Sequence, residues 1–510
     1  MFKLLLPAAA LAIASLLAGP PAHAQAPAFT SYAQFNDTLV ARYNRGDFAG
    51  IEGLGSPALR KIEPLGNMVP YLTNIKEKTG RISSATVLAV RGARHEFEWK
   101  GEKQNLRVSL TSPAPGVIDD YYISDFIAQP AGARRTTPVL TDNKQKTALD
   151  QAVHRAAALY MQHPNAAGMS VGIYQQGKTY FYNYGEVEKG TGRLPTSATY
   201  YDLGSVAKTF VGTLLAQAVL DKKVKLTDDI RQYLPGQYPN LEVEGRAIQI
   251  LDLANHRGGL PGPSHVYIPA TKTRFDQLNQ TEKVAYYNKY TADSLLTDLR
   301  ATKLRTKPGT VYNYSGFGML VLQLILERVY QQPYEQLATK FVQTRFGMFD
   351  TKRVLTPAET KRFATGYKNN GEAFSRVNYT GFWGGPTMCS TAADLMKYAQ
   401  ANLAEREPAV RLAHQRTTGK APEFGNGLGW RLDADADGHS RIQHSGSSPG
   451  FNTWFSVYPE QDFGIVILVN ENVNQTRLTE MEELLKQEMP KPAATKKQPA
   501  RAAAGGAGGR

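Results

Sequence analysis

Residues 200–210 read YYDLGSVAKTF, and the meaning of this stretch decides the architecture of most of the chain. Ser205 follows Gly204 and stands three residues before Lys208. Beyond it Val206, Phe210, Val211, Leu214 and Leu215 recur at helical spacing. Residues three apart on a helix share a face, so the Ser205 hydroxyl and the Lys208 amine can meet. At a helix start the free backbone N–H groups favour developing negative charge. A hydroxyl becomes a nucleophile when a base takes its proton, and a lysine serves only if burial or a nearby cation lowers its pKa. The other reading is that Ser205 is a helix N-cap without chemistry. Ser-x-x-Lys is weak alone, since about one is expected by chance in a chain of this length; it occurs once here.

Two more stretches add weight. KPGTVYNYSGFGMLVLQLILERV (307–329) puts Tyr314 and Ser315 just before an apolar helix, and IQHSGSSPGFNTWFSVYP (442–459) puts His444-Ser445-Gly446 at the end of a strand. A serine–lysine pair, then Tyr-Ser, then a basic residue with Ser-Gly on a strand resembles the three-part layout of the penicillin-recognising serine hydrolases. The spacing is similar to the class C β-lactamase branch with its esterase and D-aminopeptidase relatives. The resemblance takes in nearly all of residues 145–488, including LANHRGGLPG at 253–262, GGPTMCSTAADLMKYAQ at 384–400 and GNGLGW at 425–430.

This resemblance implies a β-lactamase/transpeptidase-like α/β sandwich with a helical lobe. It implies that Ser205 is the acylated nucleophile, that Lys208 shares or relays its proton, and that Tyr314 exchanges protons with Ser205 and the leaving group. The backbone N–H groups of Ser205 and Ser447 would form the oxyanion hole, with His444, Gly446, Ser315 and Gly316 as substrate contacts. No metal or organic cofactor is needed for such a cycle. Two positions depart from the pattern. Gly316 stands where many relatives have an asparagine that contacts the substrate amide, and His444 stands where many have lysine. An imidazole is a poorer partner for a substrate carboxylate than a fixed ammonium. Both departures point away from efficient β-lactam hydrolysis and leave ester, amide or D-peptide cleavage open. A β-lactamase proper, or a penicillin- or peptidoglycan-binding sensor that acylates without turnover, are the alternatives.

Strand-like runs open and close the 145–488 region ("GMSVGIYQQ", "KTYFYNYG", then "HSRIQHSG", "NTWFSVYP", "FGIVILVN") with helical sequence between. One sheet assembled from both ends, with a helical lobe beside it and a cleft between, is the expected result. Ahead of it, residues 28–128 read as two helices followed by a four-stranded meander, a small α+β unit. That order resembles the nuclear-transport-factor-like cone fold. Residues 129–144 carry Pro, Gly, Thr and charge and read as a linker.

The ends are distinct. Residues 1–24 have one early cation, Lys3, a short apolar run and Ala22-His23-Ala24, the layout of a secretory signal with its cleavage site. Residues 489–510 are rich in Pro, Ala and Gly, carry five cations and no acid, and read as a disordered basic tail. The chain should therefore be exported, periplasmic or secreted, with no stable membrane span. Cys389 is the only cysteine among 510 residues, which excludes an intrachain disulfide. The formal charge of +14 is scattered and partly in the tail, and no aromatic-interleaved basic patch points to nucleic acid. The expected partner is a small-molecule or peptide substrate, with cell-wall fragments among the candidates.

Three decoys need separating. Gly446-Ser447-Ser448-Pro449-Gly450 fits G-x-S-x-G, but a strand pattern follows where that elbow needs a helix, so a hairpin turn is expected. Asp433, Asp435 and Asp437 imitate half a calcium loop, yet position twelve is His444, and Asp437-Gly438 reads as a hairpin turn. His256 could be read as a base; support of a turn beside the cleft is the better reading.

Overall fold

The computed structural model describes residues 31–62, 68–91, 94–125, 135–260, 267–268, 273–274, 280–374, 388–422, 424–435, 437–473 and 476–489. The expected signal (1–24) and the tail beyond residue 489 lie outside these. The chain divides into two compact units, Met1–Phe126 and Ile127–Arg510.

In the first unit the helix Tyr32–Arg45 is capped by Ser31, whose side chain accepts from the Gln34 N–H, and ends at Gly46 in the left-handed region. Helix Met68–Thr79 leads into four antiparallel strands in sequential order, Ile82–Arg91, Arg94–Gly101, Leu106–Thr111 and Asp120–Asp125. Phe97, Trp99, Val108 and Leu110 turn inward against Phe35, Leu39 and Tyr43 of the first helix. The buried Trp99 indole N–H donates to Asn36, so this core leaves that donor satisfied.

In the second unit a seven-stranded sheet runs in the order Gly425–Asn426, Arg431–Ala434, Ser440–Ser448, Phe451–Tyr458, Phe463–Val469, Gly168–Gln175, Lys178–Gly185. Antiparallel pairing of Phe463–Val469 with Gly168–Gln175 joins the two ends of the region, as the sequence implied. Every residue of FGIVILV is buried because both faces are covered. Ile465, Ile467 and Val469 face one core with helices Ala148–Met161 and Thr476–Glu488. Val466 and Leu468 face the other, with helix Ala392–Ala404 and the helical lobe. That alternation makes a sandwich with the sheet in the middle.

Residues 135–144, read as linker, belong to this unit. The Leu140 carbonyl accepts from the Gly185 N–H, Asp142 accepts from Asn183, and Asn143 donates to the Tyr184 hydroxyl. Their polar side chains mimic a sheet edge, which composition alone does not reveal. Both decoy turns are hairpins: Ser448 pairs with Phe451 around Pro449-Gly450, and Asp437-Gly438 joins Arg431–Ala434 to Ser440–Ser448. The carboxylates and imidazole of Asp435, Asp437 and His439 gather there, with Asp435 paired to Lys486. Among the described residues no helix is long and apolar enough to cross a membrane.

Candidate active site

Ser205 lies in a short 3-10 turn, Gly204–Ala207, and the α-helix proper begins at Lys208. In a 3-10 turn residues i and i+3 eclipse, which sets lysine above serine more directly than an α-helix would. The Lys208 Nζ donates to the Ser205 Oγ at 2.9 Å. Neither the turn nor the helix has a side-chain cap, so Ser205 is not spent on capping. Both side chains are half-buried, while the helix behind them is almost wholly buried and rigidly seated.

Tyr314 comes from the segment before helix Gly316–Tyr330. Its phenol faces the Ser205–Lys208 pair closely enough for both to act on it. The Lys208 Nζ is 5.3 Å from the ring centroid and the Arg431 guanidinium carbon 5.8 Å. Burial pushes the phenol pKa up. The positive charge of Lys208, the polar groups of Ser205 and Lys208 beside the phenol, and the charge of Arg431 outweigh that and hold it below its ordinary 10. The residue keeps 36 % of its surface exposed, so a substrate can reach it.

His256 secures that segment. Its carbonyl accepts from the Asn313 N–H at 2.7 Å, its Nδ1 accepts from the Ser315 N–H at 3.2 Å, and its ring lies 4.4 Å from that of Tyr314. An Nδ1 that accepts carries no proton, and burial with the nearby Lys208 and Arg431 charges lowers this imidazole to about 3. A neutral imidazole held by its fold supports the turn, as the sequence indicated.

The third motif arrives on strand Ser440–Ser448, which packs against the 3-10 turn. A methyl group on Gly446 would lie 2.0 Å from the Leu203 carbonyl oxygen, and one on Gly204 would lie 2.6 Å from the Ser447 nitrogen. Only two glycines allow this approach, and it brings the Ser447 N–H beside the corner that carries Ser205.

Three expected substrate contacts are internal instead. The Ser315 hydroxyl is buried and accepts from the Gly318 N–H as the helix cap. Gly446 is buried as the contact surface just described. His444 is 2 % exposed, and its Nδ1–H donates to the Ser445 carbonyl at 2.7 Å. Burial, then the charges of Arg431 and Lys208, keep its imidazole neutral, well below the ordinary 6.5. A local sequence motif fixes residue type but not burial, so it could not separate lining residues from supporting ones. Gly316 is half-buried as the first residue of its helix. Arg431 was not indicated by any motif; its position directly after GNGLGW was the one available sign.

Comparison with known proteins identifies the family and the fold. The family model described as Beta-lactamase matches residues 153–488. A beta-lactamase of Lysobacter lactamgenus is 26% identical over 369 residues, covering 64% of this chain and 88% of that one. A beta-lactamase of Pseudomonas fluorescens is 27% identical over 368 residues, covering 64% and 94%. Among solved structures, one described as beta-lactamase/D-alanine carboxypeptidase from Pseudomonas syringae shares the fold. It has a TM-score of 0.54 and 23% identity, over 67% of this chain and 99% of that chain. With the family model spanning most of its length and a serine held by a lysine where the first motif stands, this chain belongs to the beta-lactamase family of serine hydrolases.

Proposed function

We propose that the protein is an exported hydrolase that works through an acyl-enzyme on Ser205 and cleaves an ester, amide or D-amino-acid peptide. The reading rests on one observation: Tyr314, from a distant part of the chain, meets the Ser205–Lys208 pair, with the Lys208 Nζ donating to the Ser205 Oγ at 2.9 Å and lying 5.3 Å from the centre of the Tyr314 ring. A phenol whose pKa is lowered ionises more readily, and phenolate accepts the Ser205 proton as Oγ attacks the substrate carbonyl. The Ser205 and Ser447 N–H groups donate to the resulting oxyanion. Collapse expels the leaving group, which takes the proton from the Tyr314 hydroxyl. Water then enters, gives its proton to the regenerated phenolate and releases the acid, returning the proton to Ser205. Lys208 stabilises the phenolate throughout. Export is inferred from the signal-like residues 1–24.

The neutral His444 and the Gly316 departure favour ester or peptide cleavage over efficient β-lactam hydrolysis. Labelling with a fluorophosphonate and with penicillin, followed by mass spectrometry, tests the reading. An adduct is expected on the peptide holding Ser205 and none in Ser205→Ala. Steady turnover of a chromogenic ester is expected as well; a burst of one equivalent without turnover would replace the hydrolase by a sensor.

A further inference from the structure

Ser447 stands one residue before the end of strand Ser440–Ser448, and the chain then turns through Pro449-Gly450 into strand Phe451–Tyr458. A hairpin tip is ordinarily the loosest part of a sheet, because its backbone groups bond to water. Here they bond to one side chain. The Asn472 Nδ2 donates to the Ser448 carbonyl at 2.8 Å and to the Phe451 carbonyl at 2.9 Å, and its Oδ1 accepts from the Gly450 N–H. Pro449 has no N–H, so that of Gly450 is the one backbone donor between the two strands, and Asn472 takes it.

Asn472 is itself fixed from behind. Its N–H donates to the Tyr367 carbonyl at 3.0 Å, and the Tyr367 N–H donates to the Asn470 carbonyl at 3.0 Å. The Asn470 side chain donates to the Thr365 carbonyl at 2.8 Å, and buried Glu471 accepts from the Tyr160 hydroxyl at 2.6 Å. Gly450 has φ +84°, and a methyl group on it would lie 2.8 Å from the Gly366 Cα, so residue 366 and the turn pack backbone to backbone. The tip is therefore clamped between Asn472 on one side and Gly366 on another, and the Asn472 Nδ2 lies 3.5 Å from the Ser447 Oγ.

We propose that Asn472 is a positioning residue for the oxyanion hole: by closing the turn, it holds the Ser447 N–H where the developing oxyanion needs it. An oxyanion donor works only within about 2.7–3.1 Å of the oxygen, and a displacement of about 1 Å costs on the order of 100-fold. Gly446 sets how closely the strand can approach Ser205, and Asn472 keeps the end of that strand in place. The assignment rests on the acyl-enzyme reading above and adds the group that holds its oxyanion donor still.

The test reads kcat and KM for a chromogenic ester and for its thiono analogue, in which sulfur replaces the carbonyl oxygen. Oxyanion donors favour the smaller, harder oxygen anion, so a well-placed hole raises the rate of the oxygen ester above that of the thiono ester. Asn472→Ala removes the whole clamp. Asn472→Asp keeps the size and the acceptor for Gly450 but loses both donated bonds, and serves if the alanine variant folds poorly. Each is expected to lower kcat on the oxygen ester by about 10- to 100-fold with KM little changed, to slow the thiono ester less, and so to compress the ratio of the two. A merely structural role would slow both substrates together through a smaller folded fraction. An equal loss on both, or a kcat within about 3-fold of wild type in a folded variant, overturns the assignment. Gly446→Ala and fluorophosphonate labelling separate the levels. Labelled wild type whose ratio falls in Gly446→Ala but not in the Asn472 variants removes the clamp alone, whereas no labelling of wild type removes the acyl-enzyme reading and this inference with it.

Discussion

Gly446→Ala is a single-methyl probe of the oxyanion hole. The added carbon would lie 2.0 Å from the Leu203 carbonyl oxygen and 3.2 Å from the Val206 nitrogen, both backbone atoms that cannot rotate away. Carbon–oxygen contacts stay above about 3 Å, so strand Ser440–Ser448 must retreat from the Ser205 turn by about 1 Å. Ser447 is the next residue and retreats with it. Displacing a reacting group by about 1 Å costs on the order of 100-fold, and losing one oxyanion donor costs about 100- to 1,000-fold in kcat, or roughly 3–4 kcal/mol. Overpacking itself destabilises by about 1–3 kcal/mol, which a large second unit tolerates. The assay is kcat and KM on a chromogenic ester, with thermal unfolding on the same preparation. The expected result is a folded protein with a lower melting temperature, a KM changed little and a kcat reduced at least about 100-fold. A folded variant with kcat within about 3-fold of wild type would mean that the Ser447 N–H does not stabilise the transition state, and the placement of the oxyanion hole would have to be abandoned.

Two further outcomes follow from titration. Activity on a neutral ester should rise with pH as Tyr314 ionises, with a midpoint below the ordinary phenol value of 10 because the ionised form is the base. Tyr314→Phe should remove that limb and lower kcat by about 100- to 10,000-fold; a pH profile identical in shape to wild type would exclude phenolate as the base. Away from the site, burial lifts the Glu471 carboxyl from 4.5 to about 7, against hydrogen bonds donated by the Tyr160 hydroxyl and the Ala167 N–H. A carboxyl pKa raised on folding means stability fully present below about pH 4.5 and lost as pH rises through 7, by about 3 kcal/mol. Glu471→Gln keeps the neutral form and should be more stable than wild type at pH 8 but not at pH 4.5; urea unfolding at both values checks this, and a pH-independent difference would contradict it.

The sheet of the second unit was legible because its strands are written in alternation and in continuous apolar runs. FGIVILV is apolar at every position because both faces are covered, and that pattern says "central strand" without coordinates. The Ser205–Lys208 pair was legible for a similar reason, since a spacing of three is a local geometric statement. The first unit's strands carried the same signal in His95-Glu96-Phe97-Glu98-Trp99. Residues 135–144 were misread because Asp142 and Asn143 look like loop residues until the edge they bond to is known.

Local periodicity thus settled which segments are strands and helices and which serine has a lysine beside it, because those depend on neighbours a few residues away. Burial and long-range proximity were decided by tertiary structure alone. His444 became a sealed neutral imidazole and Arg431 a neighbour of Tyr314 because segments far apart in the chain pack together. The electrostatics of a site follow from distances of that kind, which no linear pattern encodes.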